Sequence, residues 1–410
     1  MNLDGTTTPS VGRSERFPYL EGARGLAAFQ VVLTHFASAF LVTLARHGEN
    51  VTPHYAWESW LAWTPVYFLV DATFAVNLFF IISGFVLAKS FLSGELSFVR
   101  QVIKRYLRLN IPSAVASLLA LGLLCSFPLA RAHAIPLIAS PWVTWLYPVP
   151  ITLSQLVPEM ICSIVIGYRE YSIFSGFSWM HPLIDPLSIA SNLPPLWTLH
   201  VEFWGSILVL GMARSYQAAP RALFFIGIAG LLFFLGCSQF SLFVVGFCSY
   251  LFRGLFSGQS SKAAFLGAGL AIAVGILMTT SVLPTNSLYL FSTQFAAVPV
   301  FLGILLSSQV QALLSVRWVA WLGKISFGLY LVHFPILFTV GFSIFVFLRS
   351  YLDYGWCVGL TTVSGVGISL LVATLFEKLV DRPAIRFSRA VVRRRPISPV
   401  PATPTPQHQA

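Results

Sequence analysis

Arg24 and His35 stand eleven positions apart in "YLEGARGLAAFQVVLTHFASAFLVTLA", a stretch that begins at Tyr19 and runs into an apolar segment long enough to cross a membrane. On a helix, eleven residues turn about 1100°, roughly 20° from alignment, and rise about 16 Å. Both side chains therefore share one face, one at the membrane edge and one well inside it. A phosphate-bearing ligand with a long arm would rest its head on Arg24 and present its far end to His35. An imidazole there is suited to take up a proton. A snorkelling arginine and a histidine bonded across a helix interface satisfy the same spacing. Ionisable groups at such depth are costly enough that function is the default expectation for His35.

Further groups of this kind follow along the chain. In "SFVRQVIKRYLRLNIPSAV", Arg105 and Arg108 are three apart and face one side where the next apolar run begins. A guanidinium pair suits a diphosphate or a 3′-phosphate, and membrane anchoring by basic residues is the alternative. "NLFFIISGFVLAKSF" carries Ser83 and Gly84, a small-residue notch for a neighbouring helix or a ligand. "LPPLWTLHVEFWGSIL" places Glu202 about one turn into an apolar segment with no cation four residues away. The expected roles of Glu202 are to bind or deprotonate a hydroxyl, or to orient a histidine such as His35. Trp197 and Trp204 suit an interfacial aromatic belt, with His200 at the water interface. In "WLGKISFGLYLVHFPILF", Ser326, Tyr330 and His333 share a face and are expected to line a polar cavity, with Trp197 a further candidate. A histidine satisfied by a carbonyl reads equally well at His333. Glu377, Asp381 and Arg382 in "FEKLVDRPAIRF" read as local ion pairing.

The elements that position these groups are membrane helices. The chain has 410 residues, 56% of them hydrophobic and 10% charged, too little charge to cover a soluble domain of that length. Apolar runs centre on 25–45, 70–90, 109–130, 196–213, 222–238, 240–256, 263–283, 288–307, 325–347 and 355–376, giving an all-α polytopic membrane protein of about ten spans. With both termini cytoplasmic, 21 of the 25 Lys and Arg residues fall on the cytoplasmic side. The broken run at 149–168, with Pro150, Pro158 and Glu159, is expected to be re-entrant or interfacial, because a full crossing there would leave only 10 basic residues inside. Residues 1–18 read as a cytoplasmic leader and 391–410 as a disordered Pro-rich cytoplasmic tail. The net charge of +11 lies in short loops between spans, as topology determinants do, so no nucleic-acid partner is expected. The five cysteines show no Cys-x-x-Cys spacing, and neither a metal site nor a disulfide framework is expected.

Taken in order, "YLEGARGLAAFQVVLTH", "LFFIISGF", "RYLRL", "LWTLHVEFW", "SFGLYLVHFPIL" and "EKLVDRP" resemble the acyltransferase family 3, transmembrane O-acyltransferases that decorate bacterial surface polysaccharides and related molecules. The resemblance runs from residue 19 to 383, and 19–390 is taken as one membrane domain standing alone. Two departures are Phe203, where the family often has a second acid, and Val332, where it often has Trp. The resemblance implies an acyl-CoA co-substrate, acetyl-CoA foremost, rather than a permanently bound cofactor. It also implies a carbohydrate or lipid-linked glycan acceptor, contact with membrane lipids and a place in the bacterial inner membrane. By motif, His35 is the implied base, with Arg24, Arg105 and Arg108 holding the donor; from the residues themselves, Glu202 is expected to assist in catalysis and the Ser83-Gly84 notch to contact the donor. An ion-coupled secondary transporter is the rival reading of intramembrane His, Glu and Arg, although no inverted repeat is visible.

Overall fold

The computed structural model describes residues 17–45, 51–94, 96–146, 153–168, 172–189, 193–236, 238–255, 258–280 and 292–392. The helices that matter here are α1 (Pro18–Phe40), α2 (Ala72–Leu92), α3 (Phe98–Ser126), α4 (Pro141–Trp145), α5 (Leu153–Ile166), α6 (Trp197–Ala218), α7 (Phe240–Leu251), α8 (Arg317–Ile336), α9 (Tyr354–Phe376) and α10 (Arg382–Val392). Among the described residues, six helical stretches are long and apolar enough to cross a membrane: Ala72–Leu92, Phe98–Ser126, Pro194–Ala218, Lys262–Thr279, Arg317–Arg349 and Tyr354–Val392. Four shorter apolar helices accompany them, Leu156–Ile166, Arg221–Leu235, Phe240–Leu251 and Ser292–Leu306. The described residues thus build an all-helical integral membrane protein. α1 falls outside the six because Glu21, Arg24, Gln30 and His35 punctuate its apolar residues.

Boundaries shift in two informative places. The run expected from 109 begins at Phe98, behind Ser97 in extended conformation, so Arg100, Lys104, Arg105 and Arg108 lie on a helix rather than in a loop. At the other end, α9 continues through a π-helical turn at Glu377–Asp381 into α10, so the helix reaches Val392 rather than stopping at 376. The expected tail from Arg393 on, the leader up to Arg16, and residues 147–152 and 281–291 lie outside the described residues. Within 149–168, Leu153–Ile166 forms a helix laid against α3 and α6. Buried Glu159 ties it down by accepting from the Leu193 N–H at 3.0 Å.

Close approach of backbones holds the centre together. α1 packs on α8 with Gly25 facing Gly323, and a Cβ at Gly25 would lie 2.3 Å from the Gly323 nitrogen. α2 packs on α7 in the same way: a Cβ at Gly84 would sit 2.3 Å from the Phe243 carbonyl oxygen. Where lipid tails are as apolar as leucine, such small-residue contacts give the van der Waals gain that drives helix association. α2 starts at Asp71, whose carboxylate caps the helix by accepting from the Phe74 N–H at 3.0 Å. Gln30 of α1 donates to the Asp71 carbonyl at 3.1 Å and to the Phe68 carbonyl, fixing α1 to the start of α2. Phe36, Phe40, Phe338, Phe342 and Phe345 fill the core beyond His35.

Candidate functional site

A cavity of about 330 Å³ lies among α1, α2, α3, α6 and α8. Arg24, Arg105, Arg108 and Lys324 bring positive charge to it, and Glu21, Glu202, Glu377 and Asp381 bring negative charge. The charges are not paired one to one. Arg105 is salt-bridged to Glu202 through Nη2 and Oε1, and its Nε donates to Ser206 Oγ at 2.7 Å. Ser83 Oγ donates to the same Glu202 Oε1 at 2.9 Å. Glu377 is held by Arg382, whose Nε donates to Oε1 at 2.5 Å, in the local pairing expected from the sequence. Among the described residues, no carboxylate hydrogen-bonds Arg24 or Arg108. The Arg24 Nε is buried without a hydrogen-bond partner, and its guanidinium carbon lies 6.0 Å from the centre of the Phe79 ring. A buried donor left unsatisfied costs about 1–3 kcal/mol, which an anionic ligand in the cavity would recover.

Thr198 of α6 and Tyr330 of α8 line the cavity on the side of the histidines. The Tyr330 hydroxyl lies 3.0 Å from the Pro195 carbonyl oxygen and 2.8 Å from Thr198 Oγ1. Thr198 Oγ1 also reaches the Pro195 carbonyl, at 3.1 Å. One ring further on, 6.1 Å from Tyr330 between centroids, stands His333. His333 is fully buried, and its Nε2 lies 2.7 Å from His35 Nδ1. The two imidazoles are coplanar to within 7° at a centroid separation of 5.0 Å, the arrangement an in-plane N–H···N bond requires. Trp142 of α4 lies nearly parallel to His35 at 5.6 Å, and Phe334 meets it edge-on at 5.1 Å.

The structure therefore divides the candidates of the sequence into two groups. Arg24, Ser83, Arg105, Arg108, Glu202, Ser326 and Tyr330 meet around one cavity. His35 and His333 form a separate pair next to Tyr330, and neither lines the cavity, so the cavity-lining expectation for His333 is corrected in favour of a histidine satisfied by a carbonyl, that of Leu329. Gly84 is likewise outside the lining, its missing side chain being required by the approach of α7. Trp197 is outside it too, with Thr198 of the next position taking the lining place. Glu202 does not orient His35: its bonds go to Arg105 and Ser83, and it is His333 whose Nε2 shares a hydrogen bond with His35 Nδ1. His200 is buried rather than interfacial, its Nε2 accepting from the Ile173 N–H at 3.1 Å, with Gly167 at φ +77° against its ring.

Sequence reasoning overlooked Ser206, Thr198, Lys324 and Glu21 as parts of this site, and assigned Glu377 and Asp381 to local pairing alone. Ser206 stands four residues after Glu202, a spacing that shares a helix face and was legible. Lys324 and Glu21 resemble any charges at a membrane edge, and only the α1–α8 contact brings them to the cavity.

No curated protein and no solved structure shows significant similarity to the chain. A family model described as an acyltransferase domain, of the acyltransferase 3 type, matches residues 17–377. Its span takes in every residue that lines the cavity except Asp381 and Ile385, and it includes both histidines of the pair. The chain belongs to the acyltransferase 3 family and is a membrane acyltransferase.

Proposed function

We propose that the protein is an O-acyltransferase that moves an acyl group, acetyl foremost, from acyl-CoA to a hydroxyl of a carbohydrate-containing acceptor, a free or lipid-linked glycan, in the bacterial inner membrane. The observation that carries this reading is the alignment of three parts. A cavity with two arginines that no carboxylate hydrogen-bonds among the described residues leads to Tyr330, and one ring beyond it is a hydrogen-bonded histidine pair. Arg24 and Arg108 hold the phosphates of the donor, and Arg105, steadied by Glu202 and Ser206, adds a third guanidinium. Binding energy from that remote end orients the acyl arm toward the histidines. His35 then removes the proton from the acceptor hydroxyl as its oxygen attacks the thioester carbonyl. The carbon–sulfur bond breaks, and the CoA thiolate takes the proton that His35 removed, which returns the imidazole to its neutral form. In this conformation Tyr330 stands between the cavity and the pair, so transfer requires its ring to turn aside, a rotamer change of the kind that gates many active sites.

The test is acyl transfer from labelled acetyl-CoA by purified protein in detergent, where no ion gradient exists. His35→Ala is expected to lose at least 100-fold in rate with donor binding retained. Near-normal transfer by that variant excludes the role of His35. An unmodified protein that neither transfers nor is stabilised by CoA, but accumulates solute in vesicles under an ion gradient, would establish the transporter instead.

A further inference from the structure

The histidine pair contains its own tautomer assignment. His333 Nδ1 lies 2.9 Å from the carbonyl oxygen of Leu329, four residues earlier on α8. A carbonyl only accepts, so the proton of that contact is on His333 Nδ1. His333 is wholly buried, and among the described residues its two nitrogens face that carbonyl and the other imidazole, with no carboxylate to offset a charge. A cation at that place would be costly, so the ring is neutral and its Nε2 carries a lone pair. The 2.7 Å contact to His35 then holds one proton, and it belongs to His35 Nδ1. The lone pair of neutral His35 is thereby on Nε2.

We infer that His333 is a positioning residue, which fixes His35 in the tautomer and ring orientation whose Nε2 accepts a proton, the assignment being set in turn by the Leu329 carbonyl. This rests on the reading of His35 as the base, and it adds a second residue to that role. When His35 Nε2 gains a proton during transfer, its Nδ1–H becomes a charge-assisted donor to His333 Nε2 and holds the imidazolium in place. A carboxylate does this work in soluble triads. Inside an apolar bundle a neutral acceptor carries a smaller desolvation cost, and it leaves His35 uncharged in the resting state. Trp142 lying parallel and Phe334 edge-on set the plane of the His35 ring, and the in-plane bond to His333 selects between the two orientations related by a half-turn about χ2.

The decisive comparison is His333→Gln against His333→Asn. The glutamine carboxamide reaches the place of Nε2 and offers an oxygen to His35 Nδ1–H, whereas asparagine reaches only the place of Nδ1. His333→Gln is expected to keep kcat within about tenfold and His333→Asn to lose about 100-fold, both with the acyl-CoA KM within about twofold. Equal activities, or a loss expressed in donor KM, would overturn the assignment. If both variants misfold, ¹⁵N spectra of the unmodified protein labelled at histidine decide the question without any activity. A proton on Nδ1 and none on Nε2 in both rings is expected, and an Nε2–H on either ring refutes the proposal. Failure of the underlying reading has a different signature, namely transfer that survives His35→Ala while the spectra show the expected tautomers.

Discussion

Arg105 of α3 and Glu202 of α6 form a salt bridge inside the bundle, and that pair is tied to a third helix by Ser83 of α2. The side chains are only 11% and 13% exposed, so each charge depends on the other. Removing one partner of such a pair leaves an uncompensated charge and costs about 3–5 kcal/mol, whereas replacing both by apolar groups of similar size is close to neutral. Arg105→Met and Glu202→Leu should each lower the unfolding temperature in detergent by several degrees. The double variant should recover most of that loss without recovering donor affinity. Additive losses in the double variant would show that the two residues act separately.

Arg24 and Arg108 stand in a different position, because no carboxylate hydrogen-bonds either one among the described residues. Replacing either with Ala should raise the KM for acyl-CoA about tenfold, the loss of one charge-assisted hydrogen bond, while kcat changes much less. Thermal stability without ligand should hold or rise slightly, since an unsatisfied buried donor is removed at Arg24. Isothermal titration with CoA measures the first effect and a melting curve the second. An unchanged CoA affinity in both variants contradicts the donor site.

The contact of α1 with α8 carries the histidine pair as well as the helices, since His35 and His333 lie on those two elements. A methyl group at Gly25 would meet the backbone of Gly323 at 2.3 Å, and backbone cannot move aside as a side chain does. Gly25→Ala should therefore cost about 1–3 kcal/mol by overpacking and also lower kcat by separating the imidazoles. Gly122→Ala serves as the control, because nothing lies within 4 Å of the added carbon there. It should be neutral or stabilising by up to about 1 kcal/mol, with normal activity.

Tyr330 is expected to act as a barrier between the donor arm and the pair. Tyr330→Ala removes both the hydroxyl bonds to Pro195 and Thr198 and the ring itself, and so joins the cavity to the space around His333. Water then reaches the thioester, and acyl-CoA hydrolysis without acceptor should rise several-fold relative to transfer. Thiol release with and without acceptor measures this ratio. A ratio equal to that of the unmodified protein means that Tyr330 does not separate the two compartments.

The sequence by itself determined the membrane class, most of the helices, and the residue types that converge. Apolar runs between basic loops depend on chain-local hydropathy, and helical spacing alone brings Arg105 and Arg108 to one side and Arg24 and His35 to one face. What the tertiary structure decided is which polar groups find one another. Glu202 faces a choice between an arginine 97 positions away and a histidine on another helix, and His35 has its partner 298 positions away; no local period encodes either pairing. Those partnerships are fixed by the backbone approach at Gly25, Gly84 and Gly323, because a buried polar group must be satisfied by whichever group the packing places within reach.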